Sequence, residues 1–278
     1  MILFKRAGDL TIWLDQRRQE GRSIGFVPTM GALHEGHISL IDISKRATSD
    51  TVCSIFVNPT QFNDPKDFRK YPVTIEKDIR LLETAGTDAL FLPEVGELYT
   101  GGITGLERYD LGSLENILEG KYRPGHFQGV CQVMRRLLDI VLPDHLFMGQ
   151  KDYQQCMVVR RLLELMGSAA QLHPSPIIRE KDGLAMSSRN LRLSVSERAK
   201  APAIYRALTL LKEGWSKSAS LPELLVQARE ILQQSDFRID YIEAADPVTL
   251  LPVTDGAAIA LIAAFMGEIR LIDNMTLE

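Results

Sequence analysis

Cysteine is scarce in this chain of 278 residues: Cys53, Cys131 and Cys156 are odd in number and far apart. No CxxC pair and no Cys/His ligand spacing joins them, which excludes a disulfide framework and a zinc knuckle. Cys53 in TVCSIFV and Cys156 in QQCMVV stand in apolar runs, where a thiol acts as a small buried hydrophobe. Long apolar runs are missing as well. Nowhere do eighteen apolar residues stand together, so no membrane span is expected, and MILFKRAGDLTIWLDQRRQ lacks the apolar stretch and small-residue cleavage site of a signal peptide. A basic excess is also missing: 32 Lys and Arg face 36 Asp and Glu, a formal net charge of -4. Wrapping a nucleic acid backbone is therefore a poor reading of the main task, because phosphate neutralisation dominates that affinity. The expectation is a reduced, soluble, cytoplasmic protein without nucleic-acid or membrane partners.

What is present is ordinary in bulk and informative in pattern. Hydrophobic residues make 45% and charged residues 24%, near the averages for globular chains, and the length suits one large domain or two modest ones. Short apolar runs at 23–29, 51–58, 88–93 and 144–149 read as buried strands. Helix-period segments follow them at about 37–47, 74–85, 130–141 and 153–165. Strand and helix alternating at this spacing predict βαβ units and a parallel sheet, whose ligands bind beyond the carboxyl ends of the strands. The texture then changes. Helices are expected at 194–215, with a Ser cap and a Glu three residues on, and at 221–234, before strand-like runs at 238–246, 257–267 and 269–275. The whole reads as an α/β domain over 1–176 and a smaller α+β domain over 177–278.

The unusual residues fall just after the predicted strands. Pro28-Thr29-Met30-Gly31-Ala32-Leu33-His34-Glu35-Gly36-His37 follows the first. Gly31 and Gly36 allow close backbone approach, and open amides at the helix start would make an anion site. His34 and His37, three residues apart on one helix face, can each donate a hydrogen bond to phosphate, which suits a nucleoside triphosphate during substitution at phosphorus. A metal pair without a visible third ligand, or helix capping by one or both rings, are the other readings. Phe56-Val57-Asn58-Pro59-Thr60-Gln61-Phe62 follows the second strand. A neutral amide such as Gln61 grips a hydroxyl or carboxylate without titrating; a proline-ended strand with a surface amide is the plainer account. Phe147-Met148-Gly149-Gln150-Lys151-Asp152-Tyr153-Gln154-Gln155 follows the fourth strand. There Lys151 offers a point charge to phosphate and Asp152 an acceptor for ribose hydroxyls. Ile178-Arg179-Glu180 and Met186-Ser187-Ser188-Arg189-Asn190 stand at the domain junction, where a cation and two hydroxyls could hold leaving pyrophosphate, unless they form only a serine-rich linker. Arg123-Pro124-Gly125-His126-Phe127-Gln128-Gly129-Val130 reads as pocket rim, with His126 structural. Asp78 and Glu76 could meet metal-bound pyrophosphate, though a solvated acidic helix start is the simpler account; His145 and His173 match no site motif.

His34-Glu35-Gly36-His37 resembles the HxGH signature of the nucleotidyltransferase superfamily, and PTMGALHEGH is similar to the form found in pantothenate synthetases, the pantoate–β-alanine ligases. FVNPTQF, FMGQKDYQQ, RPGHFQGV, MSSRN, DYIEAADP and IRLIDN also resemble stretches of that family. MSSRN departs from the KMSKS loop of the related tRNA synthetases in the direction this family does. The resemblance implies a Rossmann-like nucleotide- and pantoate-binding domain and a smaller lid domain. It implies a two-step, ATP- and Mg2+-dependent condensation of pantoate with β-alanine through a pantoyl adenylate, in coenzyme A precursor biosynthesis, by a homodimer. It assigns catalysis to His37, His34 and Lys151. ATP falls to Met30, Gly31, Ala32, Leu33, His34, Glu35, Gly36 and His37, to Gly149, Gln150, Lys151 and Asp152, and to Ile178, Met186, Ser187, Ser188 and Arg189. Pantoate falls to Gln61, Gln155 and, more weakly, Asn58; no residue is assigned to a metal. Adenylyltransferases that keep AMP on their product share HxGH but would lack the paired glutamines and FVNPTQF, and a nucleotide sensor would not need both histidines, Lys151 and Arg189.

Overall fold

A computed structural model describes residues 1–63, 65–217 and 219–277. In chain order the first part runs β1 (Ile2–Phe4), α1 (Ala7–Gln19), β2 (Ile24–Thr29), α2 (Glu35–Ala47), β3 (Asp50–Ile55), α3 (Pro65–Arg69), α4 (Ile75–Thr84), β4 (Ala89–Phe91), α5 (Val95–Leu98), α6 (Leu118–Tyr122), α7 (His126–Val141), β5 (His145–Gly149), α8 (Tyr153–Met166) and β6 (Gln171–Ser175). The second part runs α9 (Val195–Lys200), α10 (Ala203–Ser216), α11 (Leu221–Gln234), β7 (Phe237–Ala245), β8 (Ala258–Met266) and β9 (Ile269–Leu277).

Six strands form one parallel sheet in the order β1-β4-β3-β2-β5-β6. Successive strand side chains point to opposite faces, and here both faces are covered. Ile24, Phe26, Val52, Ala89, Phe91, Leu146 and Met148 pack with α1, α7 and α8. Val27, Cys53, Ile55, Leu90 and Phe147 pack with α2 and α4. Double coverage explains why these strands read as unbroken apolar runs. Truncating a fully buried ring such as Phe26 or Phe91 costs about 3–5 kcal/mol.

From β2 the chain proceeds to β3 on one side, and from β5 to β6 on the other, so the neighbours β2 and β5 mark the point where strand order reverses. Open α/β sheets bind ligands in the crevice beyond that point. The Met30–His37 segment leaves β2 there, and Gly149-Gln150 ends β5.

By its contacts the chain falls into two units, Met1–Gln150 with Gln154–Pro176, and Lys151–Tyr153 with Ile177–Glu278. In the second unit β7, β8 and β9 make an antiparallel meander, and α10 and α11 seal one face with Ile204, Leu208, Leu211, Leu224 and Leu232. Three residues of the β5–α8 turn, Lys151–Tyr153, belong here: Asn274 binds the Lys151 carbonyl and the Tyr153 hydroxyl donates to Pro247 O.

The expected parallel sheet and antiparallel C-terminal strands are present, with differences. β1 and β6 add two strands that the sequence pattern does not mark, one only three residues long and the other the polar QLHPS. The helix expected over 194–215 is two, α9 and α10, parted at Ala201-Pro202 because proline cannot supply the amide that a continuous helix needs there. The Ser194–Glu197 capping box does open α9. α7 starts at His126 rather than near Val130, because His126 and Phe127 are already buried on its first turn.

Candidate active site

The site is built from α2 outward. His34 is the N-cap: its Nδ1 accepts the Gly36 N–H at 3.2 Å, while His37 Nδ1 accepts the His34 N–H at 3.3 Å. The two rings thus reproduce a capping box in which imidazoles replace the usual hydroxyl and carboxylate. An Nδ1 that accepts carries no proton, so each neutral ring bears its N–H at Nε2. The rings lie 4.0 Å apart, centroid to centroid, and both are half-buried. Capping and phosphate donation are therefore compatible uses of opposite ring edges.

The loop before the cap is held from α4. Asp78 is wholly buried, and its carboxylate accepts the Ala32 and Leu33 N–H groups, both at 2.9 Å, and the Thr74 hydroxyl at 3.0 Å. A carboxylate out of water needs such partners. This corrects two expectations. Asp78 is not part of a solvated acidic helix start, although Glu76 is exposed. The amides of Ala32, Leu33, His34 and Gly36 are engaged within the protein rather than open to an anion. Gly31 takes φ +82, and a Cβ there would come within 3.1 Å of Ile55 Cγ2 and 3.2 Å of Asp78 Oδ2, so the turn requires glycine.

The second motif is held by α7. Asn58, 1% exposed, donates to Gly129 O at 3.0 Å and to Gln61 Oε1 at 3.2 Å, and accepts from the Tyr99 hydroxyl at 2.7 Å. Its polar ends are spent on ordering this turn, which places it behind Gln61 as a holder. Gln61, half-buried, directs Nε2 at Met30 Sδ, 3.1 Å away. Arg123 Nη1 meets His126 Nε2 at 3.0 Å, and because a guanidinium only donates, His126 carries its proton on Nδ1 and donates to Gln61 O at 2.8 Å. His126 is structural, as expected. A Cβ on Gly129 would collide with the Thr60 carbonyl, so glycine lets α7 lie directly on the Pro59–Gln61 turn. Burial pushes the Cys53 and Cys131 thiols up to about 12, and neither offers a thiolate nucleophile.

After β5, a Cβ on Gly149 would meet no described atom within 4 Å, so glycine is not demanded there by packing. Gln154 is buried and spent on Glu119 N, Leu114 O and Ile117 O, whereas Gln155 is half-buried. In the second unit Lys151 and Asp152 are half-buried. Met186 N–H donates to Ile178 O at 3.0 Å, joining two residues expected at ATP, and Ser187 caps the short Ser188–Arg192 turn through Arg189 N–H at 3.2 Å. Arg179, Asp273 and Asn274 have no role assigned from the sequence, yet Arg179 is bonded to both of the others; the IRE and LIDN runs are their local signs.

A doubly covered parallel sheet with a histidine-capped helix beyond one of its two central strands is an α/β architecture that binds its ligand at that edge. Residues 2–276 match the family model described as Pantoate-beta-alanine ligase. The chain is 42% identical to the pantothenate synthetase of Leptospira biflexa over 283 residues, covering 100% of this chain and 99% of that one. It is 44% identical to that of Thermus thermophilus over 255 residues, 91% of this chain and 92% of the relative. The crystal structure of the Thermus thermophilus pantothenate synthetase superposes with a TM-score of 0.94 at 41% identity, covering 100% and 99% of the two chains. The Francisella tularensis pantoate-beta-alanine ligase, solved in complex with Beta-gamma ATP and beta-alanine, gives 0.83 at 35%, covering 99% and 97%. The chain belongs to the pantoate-beta-alanine ligase family. It is an ATP-using ligase that makes pantothenate from pantoate and β-alanine.

Proposed function

We propose that this ligase works through a pantoyl adenylate, with residue roles that follow from the cap geometry. A pantoate carboxylate oxygen attacks the α-phosphorus of ATP, the bond from that phosphorus to the β-bridging oxygen breaks, and pyrophosphate leaves. The β-alanine amine then attacks the acyl carbon. The acyl–oxygen bond breaks, AMP leaves with its electron pair, and the nitrogen loses a proton to give the amide. No protein nucleophile is needed. The observation that carries this reading is the paired imidazole cap, which fixes two N–H donors at Nε2 on neighbouring rings. Donors fixed before the reaction stabilise charge that grows on phosphate without reorganisation cost.

His37, His34 and Lys151 are the charge-stabilising residues; Ser187, Ser188 and Arg189 hold the β and γ phosphates. Gln61 and Gln155 clamp pantoate so that its carboxylate meets phosphorus at short range, an orientation effect. Mg2+ enters as the counter-ion of the substrate triphosphate. Among the described residues no three His, Cys, Asp or Glu side chains gather to cage a metal, and Asp78 is engaged by backbone amides. Magnesium is commonly held by phosphate oxygens and water with few protein ligands. A homodimer acting in the cytoplasm belongs to this reading as what the family resemblance implies; among the described residues no helix is long and apolar enough to cross a membrane. AMP release measured with pantoate and β-alanine supplied singly and together tests the reading. AMP only with both supports it, whereas a lasting nucleotidyl product would move the chain to adenylyl transfer.

A further inference from the structure

In the second unit, β9 carries two adjacent polar residues, Asp273 and Asn274, each only 3% exposed. Apolar side chains would pack such a strand more cheaply, because buried polar groups cost free energy unless fully bonded. Each is bonded, and to residues of the nucleotide motifs. Asn274 Nδ2 donates to the Lys151 carbonyl at 2.9 Å. Asp273 grips Arg179 in a bidentate pair, 2.6 Å and 3.1 Å, and accepts the Asn274 N–H at 2.8 Å. The same guanidinium donates to Gly183 O at 3.0 Å and Asn274 O at 3.2 Å, and lies 4.7 Å from the Tyr205 ring centre. Burial pushes the Asp273 carboxyl up, and the Arg179 guanidinium pulls it back toward the ionised form. Asn190 completes the arrangement by donating to Glu180 Oε1 at 3.0 Å and Ala185 O at 3.1 Å. One rigid strand therefore fixes the backbone of Lys151 and the hairpin that leads into Ser187–Arg189.

We propose that Asn274 is a positioning residue for Lys151, acting through the Lys151 carbonyl, while Asp273 and Arg179 brace the adjoining hairpin. Lys151 is a point charge on a long flexible stem. Its catalytic worth depends on where that stem is rooted, and displacements of about 1 Å remote from the chemistry can cost about a hundredfold. The inference rests on the reading that Lys151 acts on phosphate.

The test is a double-mutant cycle in the full-length enzyme, with kcat/KM for ATP as readout. Asn274→Asp keeps the side-chain volume and removes the N–H donor; Asn274→Ala serves if the added charge impairs folding. Either should lower kcat/KM for ATP by about tenfold or more, with the larger part in kcat. In the Lys151→Ala background the same change should have little further effect, because the residue whose carbonyl Asn274 holds no longer carries its charge. An equal loss in both backgrounds, or no loss in either, would overturn the positioning role and leave the Lys151 role standing. A folded Lys151→Ala enzyme with near wild-type kcat/KM would remove the Lys151 role itself, and the inference with it.

Discussion

His34 and His37 in this ligase are each held at one ring edge and directed by the other. His34 shows this most plainly, because one ring edge caps α2 while the other carries the N–H assigned to phosphate. The two uses separate by substitution. Asparagine is among the best N-caps, so His34→Asn should keep stability within about 1 kcal/mol and still lower turnover by roughly 10²–10³. His34→Ala should lose the same rate and, in addition, about 0.5–2 kcal/mol of stability. Urea unfolding beside steady-state kinetics checks both, and full turnover by a folded His34→Asn enzyme would contradict the assignment. Asp78→Asn puts an NH2 where an oxygen now accepts a buried backbone N–H. We expect a loss of about 1–3 kcal/mol, read as a lower urea midpoint at unchanged slope, together with slower turnover because the loop before the cap loosens. At this scale the sequence shows the histidines, the glutamines and Lys151 through their motifs. It does not show their holders: Asp78 lies 45 and 46 positions from Leu33 and Ala32, and Asn274 lies 123 from Lys151. No local spacing marks such pairs.

At the scale of elements, close packing of α7 on the Pro59–Gln61 turn fixes Gln61. Gly129→Ala should push the two apart at the Thr60 carbonyl, costing about 1–3 kcal/mol and raising KM for pantoate more than KM for ATP. Equal changes in both constants would indicate a general defect instead. Between β5 and β6, His145 Nδ1 and His173 Nε2 lie 2.9 Å apart, an arrangement that suits one shared proton and not two facing N–H groups. Burial, and then the neighbouring His145, hold His173 below its ordinary value of 6.5. The fold thus favours the neutral ring: its contribution to stability is present above that value and is lost as pH falls below it. His173→Gln should flatten the fall in Tm between about pH 8 and about pH 5, and superimposable curves for the two proteins would rule the pair out as its cause. The periodic elements were readable from apolar spacing; β1 and β6 were not. They exist because neighbouring strands pair with them, and a three-residue edge or a polar run has no periodicity to read.

At the scale of the whole molecule, the fold class and the chemistry were legible together because three of the motifs stand directly after strands of a parallel sheet, where such sheets bind ligands. The motif order carried the family, and no single motif would have done so. The assignment of three residues of the β5–α8 turn to the second unit could not be read from a linear division of the chain, since it depends on β9, more than a hundred positions later. In the proposed reaction the pantoate carboxylate itself attacks phosphorus. Pantoate labelled with oxygen-18 in its carboxyl group tests it most directly, with the AMP formed in the presence of ATP and β-alanine analysed by mass. One labelled oxygen is expected in each AMP, because the acyl–phosphate oxygen leaves with the nucleotide. Unlabelled AMP alongside normal pantothenate formation would contradict it.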